Sequence, residues 1–185
     1  MLSKVLLTGG TGFVGRAVLN HLCQGGREVV ACSRAASMDV PDGARFLRVL
    51  DLGANMDWTF GLGDVEVVIH SAARVHVMNE QSSNPLAEFR KVNVEGTLNL
   101  ARQAAAAGVR RFIFVSSIKV NGEGTAPGKS YTADDAPEPM DSYGISKLEA
   151  EQGLRVIAAE TGMAVVIIRP VLVYGPGVKA NFLSM

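Results

Sequence analysis

Excess charge of one sign, cysteine and long apolar runs are all scarce in this 185-residue sequence. Lys plus Arg and Asp plus Glu each number 18, so the formal net charge is zero. There is no run or stripe of Lys/Arg, which argues against nucleic acid as a partner. The two cysteines, Cys23 and Cys32, have neither metal nor redox spacing and read as reduced thiols in or near a core. No metal site is expected. No apolar run approaches the roughly 20 residues of a membrane span, so no membrane partner is expected. Met1-Leu2-Ser3-Lys4 leads straight into a strand pattern with no room for a signal peptide, and the expected location is cytoplasmic. Internal repeats and low-complexity segments are absent too.

What is present is apolar residues, at 48 %, and glycine, at 20 residues. That composition suits one compact domain with many tight turns. Short β-branched runs alternate with helical patterns. Val5–Leu7, Val29–Cys32, Phe46–Leu50, Val65–Ile69, Arg111–Val115 and Val165–Ile168 read as six strands. Residues 13–24, roughly 84–107 and 142–161 read as helices, the last two stopped by Gly108 and Gly162. Residues 121–141, rich in Gly, Pro and Asp, read as a loop. Continuous apolar strands suggest a parallel sheet buried on both faces, and helical crossovers imply right-handed βαβ units. The expected fold class is α/β, a doubly wound parallel sheet with strand order 3-2-1-4-5-6.

Between the first strand and first helix lies Thr8-Gly9-Gly10-Thr11-Gly12-Phe13-Val14-Gly15. Gly9, Gly12 and Gly15 are three apart, and Gly10, Gly12 and Gly15 satisfy G-x-G-x-x-G. Glycine lets backbone turn sharply and approach a pyrophosphate, and the helix N-terminus adds free N–H donors and the positive end of its dipole. This spacing at a strand–helix junction predicts a dinucleotide site. About 20 residues further on, where a carboxylate would bind a ribose 2′-hydroxyl, stand Ser33 and Arg34. A guanidinium suits a 2′-phosphate, so NADP(H) is favoured, with NAD(H) possible.

Tyr143 and Lys147 are four apart at the start of the 142–161 helix, which puts both on one face. A nearby ammonium is expected to lower the phenol pKa, so that Tyr143 can trade a proton with a hydroxyl or carbonyl. Ser116-Ser117 ends the fifth strand, at the sheet edge where such folds bind ligands. A hydroxyl there can hydrogen-bond and polarise a reacting oxygen.

Together these pieces resemble the extended short-chain dehydrogenase/reductase family, the NAD-dependent epimerase/dehydratase group, across essentially the whole chain. The matching segments are TGGTGFVG at 8–15, Asp51-Leu52, HSAA at 70–73, Val92-Asn93-Val94, Phe114-Val115-Ser116-Ser117, Tyr143-Gly144-Ile145-Ser146-Lys147, Arg169-Pro170 and Val173-Tyr174-Gly175-Pro176. The resemblance implies an NAD(P)-binding Rossmann domain over residues 1–170. Residues 171–185 would begin a substrate-binding region, and with no cap or terminal strand after them the chain is expected to be cut short. The catalytic residues would be Ser117, Tyr143 and Lys147. The cofactor would be met by Gly9, Gly12, Phe13, Val14, Gly15, Ser33 and Arg34. Asp51 and Leu52 would take its adenine end, and Ala72 and Ala73 would line its cleft. Ser116 would neighbour the catalytic Ser117, Tyr143 and Lys147 would also touch the cofactor, and Pro170 would border the nicotinamide. Asn93 would order the active-site helix and a water. Arg74, His76 and Asn79 are candidates to face substrate. A homodimer through the two long helices is the family's habit.

Departures from the family pattern narrow the reaction. Ile118 and Lys119 stand where 4,6-dehydratases carry an Asp-Glu pair, which argues against dehydration. Val171-Leu172 stand where 4-epimerases often have Asn. FVSSIKVNGE at 114–123 and RPVLVYGPGVKANFL at 169–183 resemble bacterial sugar-nucleotide 4-reductases. The favoured expectation is therefore reduction of the C4 ketone of a UDP-4-keto-6-deoxy-N-acetylhexosamine. A UDP-sugar 4-epimerase holding NAD, a reductase of small non-nucleotide carbonyls and a non-catalytic NADP-binding sensor are the alternatives. The Tyr/Lys pair argues against the sensor.

Overall fold

The computed structural model describes residues 3–75 and 83–178. Six parallel strands form one sheet in the order β3-β2-β1-β4-β5-β6. They are β1 (Lys4–Thr8), β2 (Val29–Ser33), β3 (Ala44–Arg48), β4 (Val65–His70), β5 (Arg111–Val115) and β6 (Ala164–Ile168). The chain starts at the centre, moves out to β3, then crosses back over β1 to β4. That reversal opens a crevice at the carboxyl ends of β1 and β4, the place such sheets bind ligands. The registers bring Thr8 level with Cys32 on one side and His70 on the other.

Helix α1 (Phe13–Gln24) covers one face and packs Leu19 against Leu7, Val29 and Ala31. On the other face a long helical rod runs from Pro85 to Ala106. It is α3 (Pro85–Phe89), a π-helical stretch (Arg90–Gly96) and α4 (Thr97–Ala106) in succession. Helix α5 (Ser142–Thr161) lies beside it, and Leu100, Ala104, Leu154 and Ile157 meet Leu6, Phe112 and Phe114 across the layer. Full burial of each large side chain here contributes about 1.5–3 kcal/mol. A further short helix, α2 (Thr59–Leu62), precedes β4.

Three details differ from the sequence expectation. The third strand ends at Arg48, and Leu50 is exposed. The long helix is not uniformly α: the π stretch draws in the backbone of residue 96, where an added Cβ would run into the Leu52 carbonyl. Strand β6 is not buried on both faces. As an edge strand it has one neighbour, and Val166 and Ile168 stay about half exposed among the described residues. No helix of the described residues is long and apolar enough to cross a membrane.

Candidate active site

The loop joining β1 to α1 is shaped by its glycines. Gly9 has a left-handed backbone (φ 74°), and a Cβ there would sit 2.7 Å from the Ala72 nitrogen. Gly12 is the N-cap of α1 and, lacking a side chain, leaves the first-turn N–H groups uncapped. No acidic residue occupies that turn. A Cβ on Gly15 would strike the Gly9 carbonyl, so the helix lies directly on the loop. Gly10 turns away toward Met38. The G-x-x-G-x-x-G reading through Gly9 is thus the one the backbone uses.

These residues open onto a cleft of about 560 Å³. Gly9, Gly12, Phe13, Val14 and Gly15 line it together with Ala72 and Ala73. Ser33, Arg34 and Leu52 line it at the β2 end. The Ser33 hydroxyl lies 3.0 Å from that of Thr11 and accepts from the Ala35 N–H. Arg34 is exposed, and no carboxylate among the described residues engages it. Asp51 is exposed and does not line the cleft, its carboxylate accepting the Leu52 N–H at 2.6 Å. A free helix N-terminus, a side-chain-free approach and an apolar slot fit a dinucleotide. They would hold its pyrophosphate at residues 12–15 and its adenosine end near Leu52.

The second group of candidates shares the carboxyl edge of the sheet. Asp141 caps α5, its carboxylate accepting the Gly144 N–H at 2.6 Å, which puts Tyr143 in the first turn. A Cβ on Gly144 would lie 2.8 Å from the Lys119 carbonyl. Only glycine lets the helix start come down onto the 3₁₀ turn Ile118–Val120 that follows Ser117. Ser117 is thereby brought beside the Tyr143 phenol, close enough to act on its pKa, while its hydroxyl oxygen accepts the Lys119 N–H at 3.2 Å. Phe89 meets the Tyr143 ring edge-on at 6.1 Å. Pro170 ties the segment after β6 to the same turn, its carbonyl accepting the Ile118 N–H.

Lys147 is 1 % exposed. Its ammonium donates to the Val115 carbonyl at 2.7 Å and lies 4.1 Å from the centre of the Phe114 ring. Burial pulls its pKa down to about 7, while Glu151 pushes it up. The Tyr143 pKa behaves differently from the expectation. Burial raises it, with a smaller upward push from Asp141, and Ser117 beside it only partly offsets them. Lys147 does not lower it in this structure because its ammonium is committed to Val115 and Phe114.

Two other candidates sit behind the cleft and not in it. Asn93, on the π stretch, accepts the Arg74 N–H at 2.8 Å and donates to the Arg74 carbonyl and the Ser146 hydroxyl. It staples the chain after β4 to α5. The Ser116 hydroxyl points away from the cleft and donates to Glu151 at 2.5 Å. Arg74 lies over the Phe89 ring, while His76 and Asn79 fall outside the described residues. The sequence reading gave no role to Glu151 and Arg169, a buried ion pair, or to His70. The His70 ring bridges the Thr8 and Thr97 hydroxyls at 2.7 and 3.0 Å, and burial, with Lys147 nearby, holds its pKa down at about 3. Val173 and Cys32, also missed, line the cleft. Among the described residues no group of three His, Cys, Asp or Glu is placed to hold a metal.

Comparison with known proteins fits this geometry. The chain is 48 % identical over all its 185 residues to a UDP-glucose 4-epimerase of Vibrio cholerae, covering 56 % of that protein. It is 32 % identical, over 94 % of its length, to a 2-alkyl-3-oxoalkanoate reductase of Stenotrophomonas maltophilia, covering 52 % of that protein. Among solved structures, MoeE5 in complex with UDP-glucose and NAD superposes on 98 % of the chain with a TM-score of 0.82 at 35 % identity. The chain spans 59 % of MoeE5, so it corresponds to somewhat more than half of these relatives. Residues 5–185 match the NAD dependent epimerase/dehydratase family, and the chain belongs to that family.

Proposed function

We propose that this chain carries the cofactor and proton-transfer half of an NAD(P)-dependent enzyme acting at C4 of a UDP-linked hexose. The reading put first is 4-epimerisation. The observation that carries the proposal is the gathering of Ser117, Tyr143 and buried Lys147 on the sheet edge that also bears the glycine cleft. The identity to a UDP-glucose 4-epimerase, and MoeE5 with UDP-glucose and NAD, move the epimerase ahead of the ketoreductase favoured from sequence.

When bound, the nicotinamide supplies the hydride chemistry. Tyr143 moves the proton at the substrate C4 oxygen. Ser117, beside the phenol, holds that oxygen in line with it. Lys147 supplies a buried positive charge under the site. Residues 12–15 hold the pyrophosphate, and Leu52, Ala72 and Ala73 exclude water from the slot. Residues 171–185 would begin the substrate-binding region, and the pairing of two chains through the two long helices belongs to the same proposal; sedimentation tests the latter.

A second reading, reduction of a UDP-4-keto-6-deoxy-N-acetylhexosamine with NADPH, is favoured by Arg34. It is exposed at the cleft where an NAD enzyme would carry an acid. Calorimetric titration with NAD⁺ and NADPH tests both, together with UDP-glucose/UDP-galactose interconversion. Tighter NAD⁺ binding with interconversion supports the epimerase, and an NADPH preference supports the reductase. Tyr143→Phe should keep cofactor binding and lower turnover by about 10²–10⁴. A chain that binds neither nucleotide overturns the proposal.

A further inference from the structure

Behind the site a second set of polar groups is buried that the chemistry above does not use. Glu151, 1 % exposed, follows Lys147 by one turn of α5. One of its oxygens receives the Ser116 hydroxyl at 2.5 Å and Arg169 Nε at 3.0 Å. The other receives an Arg169 terminal nitrogen at 2.5 Å. Arg169 also donates to the Asn121 side-chain oxygen at 3.1 Å. One carboxylate therefore touches the residue before Ser117 and the residue before Pro170 while standing on the helix of Tyr143 and Lys147.

A buried ion pair is weak evidence of stability, because apolar residues of similar volume often serve as well. What such a core cannot supply is charge. The contacts of the Lys147 ammonium are a carbonyl and a ring, both neutral. His70 faces it from β4 as an uncharged ring, and Tyr143 on its own helix is a protonated phenol. Ser116 from β5 is uncharged, and Arg169 from β6 is cationic and taken up by Glu151. Glu151 is the anion among these neighbours.

We propose that Glu151 is a positioning residue for this site: its buried carboxylate clamps the ends of β5 and β6 against α5 and, one turn after Lys147, is the counter-charge to its ammonium. The proposal rests on the reading that Lys147 and Ser117 serve the reaction, but its test does not need turnover. In the 185-residue chain with isotope-labelled lysine, NMR follows the Lys147 side chain against pH, the signal being identified by its loss in Lys147→Arg. Glu151→Gln should lower the Lys147 midpoint by about one pH unit or more. The double change Glu151→Gln with Arg169→Gln, which removes the paired cation along with the anion, should lower it by less. NAD⁺ affinity at the glycine cleft, read by calorimetry, should stay near that of the parent. An unchanged midpoint in whichever variant folds would overturn the proposal and leave the pair a strut. So would a midpoint far below 7 in the unaltered chain. A midpoint that shifts in a chain binding neither NAD⁺ nor NADPH would keep the role of Glu151 and remove the proposed function.

Discussion

The glycine cradle makes a quantitative claim at Gly15. A methyl group added there would lie 2.7 Å from the Gly9 carbonyl carbon and 3.0 Å from Ser71 Oγ, and closer still to the Gly9 oxygen. Ordinary contacts between such atoms begin at about 3.5 Å, so α1 must retreat by roughly an ångström. Both partners at the closest approach are backbone, and neither can rotate away. Overpacking of this kind costs about 1–3 kcal/mol, which in a chain of this size lowers Tm by roughly 3–10 °C. The functional effect should be larger, because the displaced part is the helix start that, on the proposed reading, would offer its N–H groups to the pyrophosphate. A misplacement of about 1 Å can cost on the order of 10²-fold. Calorimetric titration of Gly15→Ala with NAD⁺ and NADPH, beside a thermal melt, reads both effects. Gly63→Ala is the control, since a Cβ at residue 63 meets nothing within 4 Å. If Gly15→Ala binds nucleotide as the parent does, the cleft is not the dinucleotide site, however plausible its outline.

Other outcomes follow from single groups. Arg34→Ala should weaken NADPH binding by about tenfold or more and leave NADH binding nearly unchanged, because only the 2′-phosphate meets the guanidinium; equal losses for both would show that Arg34 serves general attraction. Gly96→Ala, whose Cβ would lie 2.7 Å from the Leu52 carbonyl carbon and against its oxygen, should destabilise by about 3 kcal/mol in urea unfolding. The folded Lys147 pKa, about 7, lies below the free value of 10.5, so between those limits the unfolded chain binds more protons. Stability should therefore rise from pH 7 to pH 10.5 and level off outside those limits, the destabilisation being complete below 7; in Lys147→Met that slope should flatten, as denaturation at a series of pH values would show.

Parts of this molecule legible in the sequence are those whose signal is short in range. The strand order follows from alternating runs and right-handed crossovers, and helix ends are marked at residues 108 and 162 by glycines with left-handed backbone. The glycine triplet and the Tyr-x-x-x-Lys pair are read within one turn or one helix, and the fold then has only to bring β1 and β5 to the same edge. What stayed hidden depends on closure between distant segments. Glu151 and Arg169 are 18 residues apart, and although Arg169 stands in a family segment, nothing in the sequence pairs the two until β6 lies beside β5 and turns the guanidinium inward. Asn93 is visible as a polar residue in a helix, but its bonds to Arg74 and Ser146 exist only because the rod passes between the end of β4 and α5.

The same distinction explains why the Tyr143 expectation failed while the placement of Tyr143 succeeded. Spacing of four residues guarantees that phenol and ammonium share a helix face, and the structure keeps them there. It says nothing about which acceptor the longer side chain will choose. Lys147 is drawn under the sheet edge by a carbonyl at 2.7 Å and an aromatic face, and there its charge is opposed by burial and supported by Glu151. The phenol is left with Ser117 as its stabilising partner and with Asp141 pushing its pKa up. Tyr143 in this chain therefore stands as a proton donor at neutral pH. Turning it into a base requires positive charge to come closer to the phenol than Lys147 does here. A nicotinamide cation in the cleft, or an ammonium released from Val115, are the two sources that the site's layout permits. They separate experimentally. Titrating the phenol absorbance with and without NAD⁺ should show a downward shift of the Tyr143 midpoint on binding, and Lys147→Met should retain most of that shift if the ligand supplies the charge and lose it if the lysine does.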